Sequence, residues 1–449
     1  MDQSNLMDTI VSLCKRRGFV YPASEIYGGI SGLYDFGPYG VEMKNNLKRL
    51  WWNYMVSQRK NVVGIDGAVI THPDVWKASG HLENFNDPLV ECSSCKSRFR
   101  VDDPELEDSK GKCPKCDAKL SQPRAFNLMM ATEIGVVEGE KSLAYLRGEA
   151  CQSIYLDYNN VLKTTRMKIP FGIAQMGKAF RNEVTCKNFL FRQREFEQWD
   201  LQYFVAPDQM EASYEYWKQE RMRWFKVLFS DDKKLRFRQH RQDELAHYAK
   251  VAFDIEFNSP LGWKEMEGIH WRSDWDLSRH SQFSGVNFQY TDDQGRSFIP
   301  QIVETSGGDA RPFLFLLLDA YTEEVVPGSK DSSDTRVVLK LNPNIAPVKA
   351  AILPLSKDEK LIKVADEIYR QLSGLFAVEY DQTGSIGKRY RRQDEIGTPY
   401  CLTVDFDTLK DKKVTVRDRD TTKQERAKIS DLESIIGKKL KDSFTVLPK

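Results

Sequence analysis

The stretch that decides the fold reads FGIAQMGKAFRNE over residues 171–183 and, after a short loop, FRQREFEQWD over residues 191–200. Alternate residues of a β-strand share a face, so Arg181 and Glu183 point the same way. One face of the second strand has polar groups and a ring (Arg192, Arg194, Phe196, Gln198 and Asp200), and the other has the apolar Trp199, Leu201 and Tyr203. The pattern predicts two strands over 169–204, joined by a loop, with one face in the core.

The polar face of this hairpin has the chemistry of a nucleotide site. Arg181 can bind a phosphate with two parallel hydrogen bonds. Glu183 can accept a hydrogen bond from an exocyclic adenine amine, and Phe196 can stack on the base. The spacing alone also fits a ladder of surface ion pairs, so both interpretations stay open here.

Outward from the hairpin, apolar periodicity predicts a helix over 41–56, another over 210–229, a strand over 251–259 and a buried helix over 310–321. The stretch 327–344 contains Pro, Gly, Ser and Asp and is typical of a linker. After it, strands and helices alternate, which indicates a small α/β domain.

Four of the eight cysteines form two tight pairs, Cys92–Cys95 and Cys113–Cys116, with seventeen residues between the pairs. Two such pairs supply the four thiolates of a tetrahedral zinc site, with no open position for catalysis. The spacing predicts a zinc ribbon. Two coincidental pairs in a metal-free loop are the alternative. Cys14, Cys151, Cys186 and Cys401 are scattered and are interpreted as reduced, small hydrophobic residues.

The 449 residues favour two or three domains, and the net charge of +1 gives no global field for nucleic acid. Residues 345–449 contain 21 Lys and Arg against 17 Asp and Glu, a net charge of +4 that fits an RNA partner and an ordinary solvated surface equally well. The N-terminus lacks a signal-peptide core, and the longest apolar run, 313–318, is too short to span a bilayer, so we expect a soluble intracellular protein. The six histidines lack paired metal spacing and are interpreted as structural or incidental: His72, His81, His240, His247, His270 and His280.

Several stretches, in the right order, resemble the class II aminoacyl-tRNA synthetases in their glycyl form. FRNE (180–183) with FRQREFEQ (191–198) resembles motif 2 of that family, and IVETSGGDAR (302–311) resembles motif 3. EIYGG (25–29) and GLYDFGPYG (32–40) resemble its N-terminus, followed by the motif 1 dimer helix, and GWKEMEGIHWRSDWDL (262–277) resembles its acidic segment. The resemblance runs from about Leu6 to the C-terminus.

The resemblance implies an α+β fold. Its parts are a class II catalytic domain with an antiparallel sheet flanked by helices, a zinc-ribbon insertion and a C-terminal α/β anticodon-binding domain. The expected boundaries are 1–85 for the N-terminal part of the catalytic domain with motif 1, 86–123 for the insertion, 124–330 for the part with motifs 2 and 3, 331–344 for a linker, and 345–449 for the anticodon-binding domain.

The resemblance also implies the reaction, which is ATP-dependent attachment of glycine to tRNA(Gly) through a glycyl-adenylate, by a cytoplasmic homodimer without a membrane partner. It implies ATP, Mg²⁺ and a structural Zn²⁺ as cofactors. Arg181 would bind the α-phosphate and Arg311 the γ-phosphate, while Glu265 and Glu304 would hold Mg²⁺. The loop 184–190 would approach the acceptor end of tRNA, and the segment 384–397 would make phosphate contacts and stack on bases.

Besides the magnesium ligands Glu265 and Glu304, the resemblance implies three sets of site residues. They are Arg181, Arg311 and Glu304 for catalysis; Arg181, Asn182, Glu183, Phe191, Arg192, Phe196, Glu265, Met266, Gly308 and Arg311 for ATP; and Arg100, Glu149, Phe196, Gln198, Asp200, Glu304 and Ser306 for glycine. Composition alone also fits a structural salt bridge for Arg311 and a solvated helix face for 384–397.

The sequence departs from the family pattern at the amino acid pocket. RGEACQS (147–153) replaces the usual RPETAQG, Asp200 stands where glutamate is usual, and Thr305 replaces a proline. Three rival functions remain: a synthetase-like regulator without catalysis, a ligase for another amino acid on the same fold, and a plain zinc-ribbon RNA-binding protein. The presence of Arg181, Glu183, Glu304 and Arg311 argues against the first, and EFEQ with GWKEMEGI argues against the second. The third leaves motifs 2 and 3 unexplained.

Overall fold

The computed structural model describes residues 3–101, 103–107, 109, 111–137, 142–326 and 334–445. Up to residue 84 the helices and strands are α1 (Gln3–Arg17), β1 (Val20–Pro22), β2 (Tyr34–Phe36), α2 (Pro38–Trp52), β3 (Val62–Gly64), β4 (Ile70–Thr71), α3 (Pro73–Ala78) and α4 (His81–Asn84). Proline at the first position starts α2, and Met43, Leu47 and Trp51 bury one side of it, as their spacing predicts.

A small three-stranded sheet follows between residues 86 and 127. Its elements are β5 (Asn86–Glu91), β6 (Arg98–Arg100), α5 (Pro104–Glu107) and β7 (Arg124–Asn127), with strand order β6-β5-β7. Among the described residues of this region, the buried cluster consists of Val90, Cys92, Phe99 and Cys113, with Leu106, Ala118 and Leu120 packed against it. So small an apolar cluster gives little stability on its own, which agrees with an insertion that depends on a metal.

The body of the chain is built on a seven-stranded sheet of order β12-β13-β14-β17-β11-β10-β3, antiparallel except for the β10–β3 pair. The elements are β8 (Met130–Ile134), β9 (Ser142–Leu146), α6 (Gln152–Leu156), α7 (Tyr158–Thr165), β10 (Phe171–Phe180), β11 (Glu195–Val205), α8 (Met210–Leu228), β12 (Leu235–Gln239), β13 (Val251–Ser259), β14 (Gly262–Ser273), α9 (Trp275–Ser284), β15 (Tyr290–Thr291), β16 (Ser297–Phe298), β17 (Gln301–Gly308) and α10 (Ala310–Ala320).

One face of the large sheet packs on α2, α8 and α10. Trp199 of β11 stacks on Trp51 of α2 with ring centroids 5.9 Å apart. The apolar helix α10 is buried nearly all round, as predicted. The other face is polar along its middle strands, where Asp200 pairs with Ser306 and Gln202 pairs with Glu304. The alternation along the hairpin therefore predicted correctly which residues lie on the apolar face and which on the polar face.

The C-terminal part has a second sheet, of order β21-β20-β22-β23-β24, with its own apolar core. Its elements, with the hairpin before it, are β18 (Tyr321–Val325), β19 (Thr335–Leu339), β20 (Ala350–Pro354), α11 (Glu359–Ser373), β21 (Val378–Tyr380), α12 (Ile386–Ile396), β22 (Tyr400–Val404), α13 (Thr408–Asp411), β23 (Lys413–Asp418), β24 (Gln424–Lys428) and α14 (Leu432–Asp442). The predicted α/β character is confirmed.

Part of the predicted linker 327–344 forms a strand where the structure describes it. Residues 327–333 lie outside the described residues, but β19 pairs along its whole length with β18. Leu339, Leu341 and Ile345 are buried in the same core cluster as the large sheet. The sequence did not predict this apolar stretch because the residues before position 335 are polar. The domain boundaries remain predictions.

Polar contacts join the two parts. Arg17 and Arg16 at the end of α1 pair with Glu395 of α12. Tyr39 donates its hydroxyl to Glu379 of β21 at 3.0 Å. Among the described helices, none has the length and apolarity that crossing a bilayer requires.

Candidate active site

A cavity of about 370 Å³ opens on the polar face of the large sheet. Strands β11, β14 and β17 form its floor, the loop after β10 and the start of α10 form one wall, and residues 84–87 with β6 form the other. Of the residues that the sequence pointed to, those that line it are Arg100, Glu149, Arg181, Glu183, Phe191, Arg192, Phe196, Gln198, Glu265, Glu304, Ser306, Gly308 and Arg311.

Arg181 is fixed at one end of the cavity. Its guanidinium carbon lies 5.1 Å from the ring centroid of Phe85 and 5.3 Å from that of Phe196. Its Nε donates to the carbonyl of Gly148 at 3.1 Å. The two rings and this anchor leave the terminal nitrogens for a ligand, which is the geometry that phosphate binding needs.

Arg311 enters from the first turn of α10. Its side chain pairs with Glu265 at 2.9 Å and lies over the ring of Phe191 at 4.5 Å. The salt bridge that was the alternative interpretation of Arg311 is therefore present. However, the Glu265 side chain is 45% exposed, so the pair can open toward a ligand in the cavity.

The opposite end of the cavity has carboxylates. Asp200 is fully buried, and its Oδ2 accepts no hydrogen bond from the described residues. Burial, with the charge of Glu304 added, raises the pKa of Asp200 well above its usual value. A buried carboxylate oxygen without a donor is stabilised by any cation that reaches it.

Glu304 is the most heavily bonded carboxylate of the site. It accepts hydrogen bonds from Gln202 at 2.8 Å, His270 at 2.7 Å and Arg272 at 2.9 Å. These donors fix its orientation and neutralise its charge, and they occupy the oxygens that a magnesium ion would need. The geometry favours Glu265 over Glu304 as a magnesium ligand.

Three expected site residues do not line the cavity. Met266 has a fully buried side chain in the apolar core, because it alternates with Glu265 along β14, so only its main chain is available. The Asn182 side chain is exposed, while its main-chain N–H donates to Leu128. Asp200 lies just beneath the floor rather than on it.

Sequence reasoning missed several residues that line or support the cavity. Tyr248 and His270 line it, and Arg272 lies 3.6 Å from the ring centroid of Tyr248. His270 and His81 were interpreted as structural or incidental. His270 contacts Glu304 and lines the cavity, a position that the interpretation did not anticipate. The alternation of Gly268, His270 and Arg272 on one face of β14 was the signal available.

The four paired thiols converge. The Sγ atoms of Cys92 and Cys116 are 3.4 Å apart, those of Cys95 and Cys113 are 3.6 Å apart, and all four lie within 4.8 Å of one another. Four thiolates around one zinc ion at about 2.3 Å need separations of this size. The cluster fits a structural zinc ion.

The segment 384–397, for which the resemblance implies RNA contacts, has many contacts within the protein. It forms α12, and most of its cations contact the protein itself. Arg389 is buried and donates to the carbonyls of Pro354 and Asp381, Arg391 pairs with Asp334, and Arg392 pairs with Asp381. These contacts show that the arginines also stabilise the fold, and the RNA contacts of the segment stay a prediction.

Comparison with known proteins agrees with this geometry. Residues 136–321 match the family model described as tRNA synthetase class II core domain (G, H, P, S and T), and residues 349–439 match that of the anticodon binding domain. The fold resembles a prolyl-tRNA synthetase of Giardia lamblia in complex with prolyl-adenylate, with a TM-score of 0.67 and 16% identity over 98% of this chain and 80% of that one. Fold and cavity together define a class II aminoacyl-tRNA synthetase.

Closer relatives narrow the class. The chain is 50% identical over 444 residues to a glycine–tRNA ligase of Treponema denticola, with 98% of each chain covered. It is 47% identical over 456 residues to one of Thermobifida fusca, covering 98% of this chain and 99% of that one. The chain belongs to the glycine–tRNA ligase family, and it is therefore an enzyme that attaches glycine to tRNA.

Proposed function

We propose that the cavity binds ATP and glycine side by side and joins them. A carboxylate oxygen of glycine attacks the α-phosphorus, the bond from that phosphorus to the bridging oxygen breaks, and pyrophosphate leaves. The observation behind this proposal is one cavity with guanidinium groups at one end and buried carboxylates at the other. Catalysis then comes from positioning and electrostatics, without a covalent enzyme intermediate.

Arg181 and Arg311 serve the phosphates. Arg181 faces the α-phosphate, where negative charge develops, and Arg311 faces the γ-phosphate from the start of α10. When Arg311 turns to the phosphate, it releases Glu265. The carboxylate oxygens of Glu265 are then available, and they are the kind of ligand that Mg²⁺ prefers. When bound there, Mg²⁺ neutralises phosphate charge. The oxygens of Glu304 already accept hydrogen bonds from Gln202, His270 and Arg272, so we assign Glu304 to the end of the cavity that binds glycine.

The adenine base lies along the hairpin. Phe196 offers a ring face at the floor, beside Arg181. The Oε2 atom of Glu183 is buried and accepts no hydrogen bond from the described residues, while Arg192 is 3.9 Å away. An exocyclic amine would supply the missing donor, which supports Glu183 as the group that recognises adenine.

Glycine binds at the carboxylate end. Its ammonium group is the cation that the unpaired oxygen of Asp200 needs, with Glu149 and Glu304 beside it. Ser306 and Gln198, joined by a hydrogen bond of 2.6 Å, form the adjoining wall. Arg100, held by Asp87 at 2.6 Å, closes the far side. Larger amino acids are excluded sterically, since a packed wall does not accept an added methyl group without strain.

For tRNA, the C-terminal domain offers a groove of about 450 Å³ between β23, β24 and α14. Five cations line it, against the three acids Asp418, Glu425 and Asp431, so its net positive charge can attract a phosphate backbone; the cations are Lys413, Lys423, Arg426, Lys428 and Lys439. We place the anticodon stem there and the acceptor end at the loop 184–190. Replacing Lys423 and Lys428 together by alanine is expected to raise the KM for tRNA several-fold and leave adenylate formation unchanged. An unchanged KM would move the anticodon stem elsewhere.

We further propose a homodimer in the cytoplasm, where translation takes place. Large apolar side chains in the small sheet of β4, β8 and β9 are about half exposed, which supports an interface with a second copy: Ile70, Ile134 and Leu143. Sedimentation of a single species at twice the chain mass would agree, and a monomer at micromolar concentration would not.

A reciprocal pair of variants tests the two ends of the cavity. Asp200→Asn is expected to raise the glycine KM by roughly 10- to 100-fold, the range for a lost hydrogen bond to a charged group, with the ATP KM little changed. Glu183→Gln is expected to raise the ATP KM and spare the glycine KM. Charging of tRNA with labelled glycine measures both. Equal shifts of both constants in both variants would contradict the assignment of the ends.

A further inference from the structure

Glu149 is held by one of its two oxygens. Its Oε1 atom receives the Cys151 thiol at 2.8 Å, the His81 Nε2 at 3.1 Å and the Gln152 amide at 3.3 Å. No described residue donates to Oε2, although Glu149 lines the cavity. The Glu149 carboxylate is therefore fixed through Oε1, and Oε2 is available to a donor in the cavity.

His81 is held in place by contacts on both sides of its ring. Its ring packs between Trp76 and Phe85, with centroids 5.0 Å and 5.3 Å away, and its Nδ1 lies 2.8 Å from the hydroxyl of Ser79. A carboxylate oxygen only accepts, so the proton of this contact belongs to Nε2. The His81 side chain is only 4% exposed, so the ring is packed on its sides.

The three donors differ in strength. Burial alone would raise the pKa of Glu149, but the charge and the hydrogen bond of His81, with smaller contributions from the charge of Arg272 and the Cys151 thiol, hold that pKa well below its usual value. Burial raises the pKa of the Cys151 thiol, so Cys151 is a neutral and weak donor. The amide of Gln152 is the most distant. His81 is thus the principal partner of the buried carboxylate.

We propose that His81 is a positioning residue for amino acid recognition: it fixes Glu149 by one oxygen so that the other faces the ammonium group of glycine. The inference rests on the proposed function, in which Glu149 contributes to ammonium binding. His81 itself contacts no substrate. Its effect is on glycine affinity and not on the phosphates, because Arg181 and Arg311 lie at the other end of the cavity.

The test compares glycine and ATP constants in pyrophosphate exchange. His81→Ala is expected to raise the glycine KM by roughly 10- to 100-fold, while the ATP KM and the rate at saturating glycine stay within about threefold. His81→Gln, whose amide can donate from a position near that of Nε2, is expected to recover most of the loss. His247→Ala is the matched control, since His247 contacts the carbonyl of Ser79 and not Glu149.

Each outcome separates the inference from the function beneath it. If Glu149→Gln leaves the glycine KM unchanged, the ammonium assignment of Glu149 fails first. If Glu149→Gln raises it and His81→Ala does not, the positioning role is overturned. A His81→Ala variant that loses ATP and glycine affinity together, without recovery in His81→Gln, would show a merely structural histidine. Should His81→Ala fail to fold, His81→Gln and Ser79→Ala give the same comparison, with a smaller expected rise in glycine KM.

Discussion

Removing the side chain of Arg181 is the sharpest perturbation of the proposed chemistry. In Arg181→Ala the cavity loses a guanidinium that two rings and the Gly148 carbonyl hold in place. Such a group needs no reorganisation when charge develops on the α-phosphate. Loss of one preorganised donor costs about 3–4 kcal/mol of transition-state stabilisation, which corresponds to a fall in rate of roughly 10²- to 10³-fold. Because a guanidinium can donate two hydrogen bonds, we expect the fall in rate to lie at the upper end of this range or beyond it.

The fold should tolerate the same change. Arg181 makes one side-chain hydrogen bond, to a main-chain carbonyl, and the side chain is only half-buried. We expect the free energy of unfolding to fall by about 1–2 kcal/mol, the range for one hydrogen bond and its lost packing. The activity loss would then exceed what unfolding explains.

The assay is glycine-dependent exchange of pyrophosphate into ATP, with both substrates saturating, beside a thermal unfolding curve. Arg181→Lys is the matched control. It keeps a charge but loses the planar fork and the Nε anchor, so its rate should lie between the wild type and Arg181→Ala. Exchange within threefold of the wild type in a folded Arg181→Ala would refute the role of Arg181 at the α-phosphate.

Three further predictions concern the zinc cluster, a buried ion pair and a buried acid. Cys113→Ala should lose the bound zinc and make residues 86–123 protease-sensitive, and one full equivalent of zinc by elemental analysis would exclude the four-thiolate site. Arg221→Met should lower the free energy of unfolding by about 3–5 kcal/mol in a denaturant titration, because Glu267 stays fully buried without its cation; a loss below 1 kcal/mol would be inconsistent with the pair. Burial raises the pKa of Asp309 to about 6, so the native state binds a proton that the unfolded state has released, and stability falls as pH rises from about 4 to 6. Asp309→Asn should therefore gain about 3 kcal/mol relative to wild type between pH 4 and pH 7, and a pH-independent difference between the two proteins would contradict this linkage.

The departures from the family pattern have partial structural explanations. Ser153 stands where the family has glycine, and its hydroxyl fills the space beside Gly67, where an added Cβ would lie 2.2 Å from it. Cys151, in place of alanine, gives Glu149 an additional donor. Asp200 is shorter than the usual glutamate and lies beneath the floor. Thr305 is buried with a hydroxyl that has no hydrogen-bond partner among the described residues, and nothing in the structure explains it.

The sequence predicted what short-range periodicity encodes. Alternation along the hairpin placed Arg181, Phe196 and Gln198 on one face, and cysteine spacing placed the four thiols together. Alternation was also sufficient to exclude the side chain of Met266, which lies one position from Glu265, but the motif resemblance had included it.

The rest of the site depends on contacts between distant segments. His81, Tyr248 and Arg272 come to the site from three separate segments: Tyr248 lines the cavity, and His81 and Arg272 contact Glu149 and Glu304. Only Arg272 has a periodic signal, the alternation along β14. The pairing of Arg389, Arg391 and Arg392 with carbonyls and acids likewise depends on tertiary packing, which the sequence of the segment does not reveal. The strand β19 was missed because a polar run precedes it.

The cheapest decisive measurement is pyrophosphate exchange into ATP with each of the twenty amino acids in turn. We expect exchange with glycine alone, because the proposed pocket recognises an ammonium group at its carboxylate end and excludes larger side chains sterically. Exchange with a different amino acid would keep the class and contradict the pocket. Absence of exchange from folded, zinc-loaded protein would contradict the adenylation chemistry itself and favour a synthetase-like regulator.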